Sequence, residues 1–203
     1  MPWLTPFEGE AIEPFEEYDG LEFTGLDLGA ARAGNTKFSE CRLRRVTFEH
    51  GSLARGLVAD SEIAECRFVA TDLSDVEWRD IRVDGSLIAG GTFIGSRLLR
   101  VTFADAKLTG VNLRGARLSE VTFERCLLSD VDLAEATVSR VRFADCTISG
   151  LDVTKTRFEK TDFRSSTLQI SRGLLSLRGT RMDVDQLFAI APAIAADIGI
   201  AIG

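Results

Sequence analysis

Histidine occurs once in these 203 residues, at His50, and cysteine four times, with no C-x-x-C pair among Cys41, Cys66, Cys126 and Cys146. A zinc site draws on a close-set group of such ligands, and a disulfide-stapled domain on paired cysteines, so neither framework is expected. No Gly-rich phosphate loop and no Ser/His/Asp set can be assembled either. The first 20 residues hold no Lys or Arg and no long apolar run. They lack the basic and apolar regions of a secretory leader, and a cytoplasmic location is expected. The apolar tail "LFAIAPAIAADIGIAIG" is interrupted by Pro192 and Asp197, which argues against a membrane span. Surplus positive charge is also missing. A net charge of −7 argues against direct nucleic-acid binding, which needs excess Lys and Arg to replace phosphate counterions.

What the sequence does have is a five-residue metre. In "VTFADAKLTGVNLRGARLSEVTFERC", residues 101 to 126, a small residue, any residue and a large apolar residue recur as Val101-x-Phe103, Ala106-x-Leu108, Val111-x-Leu113, Ala116-x-Leu118 and Val121-x-Phe123. The frame runs without insertion from residue 21 to 170, giving 30 pentads whose centres (Phe23, Leu28, Ala33 and onward to Leu168) are all apolar. The small positions, two residues before each centre, never hold a charge, although 43 charged residues lie in the same stretch. Neither the helical period near 3.6 nor the strand period of 2 produces this pattern.

Two inward residues around one outward residue make a short extended step, and the next two outward residues must turn the chain. A right-angle turn every five residues closes a square after four, so one coil is 20 residues. Side chains 20 apart then stack: Phe103, Phe123, Phe143 and Phe163 form one column, and Leu108, Leu128, Ile148 and Leu168 another. The frame alone gives 7.5 coils, a rod roughly 36 Å long at the strand spacing of about 4.8 Å.

The pentads "VNLRG", "TDLSD" and "VDLAE" resemble the A(D/N)LXX consensus of the pentapeptide-repeat proteins. The resemblance covers about three quarters of the chain and implies an all-β solenoid, a right-handed quadrilateral parallel β-helix. The uninterrupted metre looks most like the fluoroquinolone-resistance members of the Qnr and MfpA type, in particular MfpA.

Three segments follow. Residues 1–20 form an acidic N-terminal cap, with Trp3, Phe7 and Phe15 placed to cover the first coil, and residues 21–172 form the coil. Residues 173–203 form a helical C-terminal cap, because Gly173 takes a centre and Arg178 falls where the next is due. Asp183 and Gln186 are spaced as a capping box, Gly199 is placed as a stop, and Pro192 is expected to bend the helix or start a second one. Leu187, Ile190, Ile194 and Ile198 make one apolar stripe, with Phe188, Ala191 and Ala195 beside it. The tail either plugs its own coil or, as the resemblance implies, joins two rods into a homodimer through Leu187, Phe188, Ile190, Ala191, Ile194 and Ile198.

The four cysteines occupy small positions and are expected inside, inert, with Cys126 stacked on Cys146. Paired carboxylates such as Asp72 and Asp75 lie on a convex wall with no cleft to raise a pKa. The chain is therefore expected to be no enzyme and to hold no cofactor or metal. Function falls to the outer walls. The family's resistance members are thought to imitate duplex DNA and occupy the DNA-binding saddle of DNA gyrase, which here points to Asp72, Asp75, Asp132, Glu135 and Asp152 on the third wall. The alternative is an interaction rod with a different protein partner, for which the second wall, charged only at Asp27, Glu49, Arg67, Lys107 and Asp130, offers a flat face.

Overall fold

The computed structural model describes residues 4–201, which leaves Trp3 outside them. The chain winds into a right-handed, four-walled parallel β-helix of about nine turns, with a single helix at its C-terminal end. One turn shows the plan. Thr122–Glu124 and Leu127–Ser129 are two walls, an isolated bridge at Asp132 marks the third, and Thr137–Ser139 is the fourth. Pairing is parallel with a 20-residue register: Phe103 lies against Phe123 and Phe123 against Phe143, while Leu108 lies against Leu128 and Leu128 against Ile148.

The corners explain how a chain can turn so often. Among the described residues, 22 non-glycine residues have positive φ, and every one stands at a multiple of five. None is Val, Ile or Thr, whose branched Cβ is poorly tolerated there. The left-handed conformation costs about 1–2 kcal/mol per residue. Hydrogen bonds to the following coil offset that cost: the Asp105 amide donates to the Glu124 carbonyl at 2.9 Å, and the Arg125 amide to that of Ala144 at 2.9 Å.

Inside, Phe103, Phe123, Phe143 and Phe163 stack with centroids 4.9, 4.8 and 4.7 Å apart and planes within 6° of parallel. Polar residues at small positions are absorbed by a recurrent bond to the carbonyl 23 residues back. Thr156 Oγ1 donates to the Leu133 carbonyl at 2.7 Å and Ser166 Oγ to that of Phe143 at 3.1 Å. A hydroxyl can therefore replace a methyl group at these positions without stranding a buried donor.

Strand pairing passes both limits of the metre. At the N-terminal end Thr5–Pro6 pairs with Leu21 and Glu22, and Glu17–Asp19 pairs with Lys37 to Ser39, so residues 5 to 20 are themselves coil. Tyr18 stacks on Phe38 at 5.3 Å, Phe7 on Phe23 at 4.4 Å, and Ile12 is buried. Phe15 departs from the expected cover. It occupies a corner at φ 66° and is 75% exposed, since corner side chains leave the tube.

At the other end Gly173 adopts φ 84°, and a Cβ there would lie 2.3 Å from the Thr154 nitrogen, so only glycine fits. A 3₁₀ turn, Leu174–Ser176, and a last strand, Thr180–Arg181, lead to α1, Val184–Asp197. Asp183 and Gln186 form the expected reciprocal capping box. Helix α1 runs through Pro192, with no second helix after it among the described residues, and Gly199 follows it at φ 82°. Among the described residues no helix is long and apolar enough to cross a membrane.

Candidate functional site

The chemistry that points inward is sealed. All four cysteines are buried, and each thiol faces a carbonyl: Cys126 Sγ donates to the Phe103 carbonyl at 3.4 Å and Cys146 Sγ to that of Phe123 at 3.4 Å. Burial pushes the Cys66 thiol up to about 11 and raises Cys41. The contact with Cys146, together with burial, raises Cys126. The same contact lowers Cys146, so it is burial that keeps this thiol from reagents, while the protonated thiols of Cys41, Cys66 and Cys126 are weak nucleophiles. Among the described residues no three His, Cys, Asp or Glu side chains converge on a point where an ion could sit, and His50 is an exposed corner residue.

The acidic third wall proves to be mostly occupied. Asp72, Asp132 and Asp152 share one column, and each folds back to accept the backbone N–H two residues on: Ser74 at 3.0 Å, Ala134 at 2.7 Å and Thr154 at 2.9 Å. Asn112, in the same column, does so for Arg114 at 3.0 Å. The Asp or Asn of the repeat is thus a turn cap. Arg114 bridges Asp132 at 3.0 Å and Glu135 at 3.4 Å, and Arg172 reaches Asp152 at 3.0 Å. Asp152 is only 5% exposed. Burial pushes its carboxyl upward, but the Thr154 hydrogen bonds and the Arg172 and Arg114 charges outweigh it, and its pKa falls below the ordinary value. Asp72 is likewise lowered, burial being outweighed by bonds from Ser74 and Ser52 and by the Arg55 charge. Of the five carboxylates, Asp75 alone neither caps its turn nor pairs with a cation among the described residues.

Helix α1 divides the expected dimer residues. Ile190, 5% exposed, and Gln186, also buried, are spent on the chain's own coil. In the frame Gln186 falls one coil, 20 residues, beyond the small position Ser166. Its Nε2 donates to the Phe163 carbonyl, 23 residues back, at 2.7 Å, and also to that of Ser166. Ile194 is half-buried, while Leu187, Phe188, Ala191 and Ile198 are exposed, Phe188 by 71%. Leu187, Ile190 and Ile194 line an open groove of about 340 Å³ with Leu177, Met182 and Val184. Val184 and Ile200, both exposed, extend the apolar surface beyond the stripes. The period of the apolar residues marks both faces of α1 and does not say which one meets the coil.

Residues 96–172 match the family described as Pentapeptide repeat region. Among solved structures, trypsin-treated QnrB1, described as a plasmid-mediated fluoroquinolone resistance protein, superposes with a TM-score of 0.52 at 14% identity. That superposition covers 93% of this chain and 99% of the other. HetL, a pentapeptide repeat protein involved in heterocyst differentiation regulation in the cyanobacterium Nostoc, gives a TM-score of 0.39 at 14% identity over 84% of this chain and 92% of that one. No curated protein sequence matches the chain. At 14% identity the likeness to QnrB1 is one of fold.

Proposed function

We propose, from a pentapeptide-repeat coil that shares its fold with QnrB1, that this protein is a non-catalytic binding rod, paired with a second copy through α1, whose outer walls engage a partner protein. The observation that carries the reading is the apolar surface of α1 and the residues just after it: Val184, Leu187, Phe188, Ile198 and Ile200 are each more than half exposed, beside an apolar groove. Contiguous apolar surface of this kind marks an interface. The buried thiols and the capped, ion-paired carboxylates leave the walls with recognition rather than chemistry to perform. Light scattering of the purified protein tests the pairing. The expected mass is twice 22.2 kDa, and Leu187→Asp with Phe188→Asp reduces it to one chain. A 22.2 kDa species at high concentration of the unaltered protein contradicts it.

A second reading, gyrase binding by imitation of duplex DNA, is favoured by the fold shared with QnrB1 and by the column that holds Asp72, Asp132 and Asp152, the last two on adjacent coils. Arg114 and Arg172 weaken it by neutralising that column locally. A gyrase supercoiling assay with and without a quinolone decides it. Inhibition or protection that weakens when Asp72, Asp75, Asp132 and Glu135 become Lys supports mimicry, and the absence of both at micromolar protein retires it.

A further inference from the structure

The fourth wall changes sign along the rod. From residue 36 to 80 its cations Lys37 and Arg79 face four carboxylates, Glu40, Asp60, Glu77 and Asp80, whereas from residue 96 to 160 six cations face only Glu120 and Glu159. Two of those six, Arg100 and Arg140, are held by Asp80 and Glu120. The remaining four, Arg97, Arg117, Arg157 and Lys160, have no carboxylate within ion-pair distance among the described residues. Arg97 and Arg117 lie in register on adjacent coils, where stacked like charges repel.

The end of the metre adds a fifth cation. Arg178 stands where the frame would place an inward centre, yet it is exposed and without an ion pair among the described residues. Gly179 sets its position: at φ 90° the backbone lies so close to the Phe158 carbonyl that a Cβ would approach it to 2.2 Å. Residues 178 and 179 therefore lie over the strand Arg157–Glu159. Arg157, Lys160 and Arg178 line one open cleft of about 420 Å³ together with Leu175, which is 65% exposed. The cleft's one carboxylate, Glu159, accepts from Ser139 Oγ at 3.4 Å.

We infer that this cleft and the arginine column above it bind an extended acidic segment of a partner protein, carboxylates on Arg97, Arg117, Arg157 and Arg178 and an apolar side chain on Leu175. Guanidinium forks match carboxylates in bidentate pairs. From residue 97 to 178 the column spans four coils, roughly 19 Å, which about six residues of extended chain cover. A long polyanion is disfavoured, because phosphate binding needs many cations acting together and this chain is acidic as a whole. A free anion would leave Leu175 without a role. The inference names the chemistry of one partner at a cleft that no residue of α1 lines, so it fails or survives independently of the pairing of two copies.

The test is fluorescence anisotropy with a labelled octapeptide, Glu-Glu-Leu-Glu-Glu-Leu-Glu-Glu, on the intact protein. Binding at low salt is expected, with a loss of at least tenfold in Arg157→Glu/Arg178→Glu and of severalfold in Leu175→Ala. Phe188→Asp should leave it unchanged. Arg157→Gln/Arg178→Gln covers the case in which charge reversal prevents folding, and should weaken binding without lowering Tm. The inference is overturned if these substitutions leave affinity unchanged, or if a twenty-nucleotide single strand or inorganic phosphate competes as well as unlabelled peptide.

Discussion

At the scale of single residues, the fold rests on side chains used for backbone ends. Most corner residues accept a left-handed φ because the neighbouring coil takes their N–H, as the Ala89 carbonyl does for Ala70 at 2.7 Å, so the corner's own identity sets the strain. Ala70, at φ 47°, should therefore respond in both directions. Ala70→Gly should raise stability by up to about 1 kcal/mol and Ala70→Val lower it by about 1–2 kcal/mol, as read by urea unfolding. Asp152 makes a pH-dependent contribution. Its folded pKa lies below the unfolded value, so the stability it supplies is complete above the unfolded carboxylate range, near 4, and is lost as pH falls through the folded value. The Tm difference between the protein and Asp152→Asn should be full at neutral pH and close as the medium becomes strongly acidic; a gap independent of pH would contradict this.

At the scale of elements, the C-terminal cap continues the coil's own hydrogen bonding after the metre has ended. Gln186 satisfies the Phe163 carbonyl over the same 23-residue interval by which Thr156 and Ser166 serve Leu133 and Phe143. Gln186→Leu fills the space but strands two carbonyls and breaks the capping box. It should cost about 1–3 kcal/mol, with hydrogen exchange rising first in α1 and Thr180–Arg181. Loss of protection spread evenly along the rod would instead show that the cap does not act locally. The coil was legible because inward positions tolerate no charge, a rule enforced at 60 positions. The first coil was less so, since Glu16 stands where a small residue was due and Thr5 meets Leu21 after 16 residues rather than 20. The acidic wall was visible as charge, but its work as turn caps depends on which backbone N–H each carboxylate meets, and composition does not record that.

At the scale of the molecule, about nine turns at roughly 4.8 Å give a rod of about 43 Å, longer than the metre alone implied because both ends continue the pairing. Its N-terminal end discourages extension. Pro6 has no N–H to offer at the open edge, beside an amide of Thr5 and one of Phe7 that turn toward the coil, and six carboxylates lie between residues 8 and 19. The exposed apolar surface gathers at the other end, on α1. Association through that end alone closes after two copies, since an isologous contact uses up the surface on both. Small-angle X-ray scattering of the purified protein tests this most directly. The account predicts a particle about twice the length of one rod with the cross-section of a single coil. A particle one rod long, or one of doubled cross-section, would contradict it.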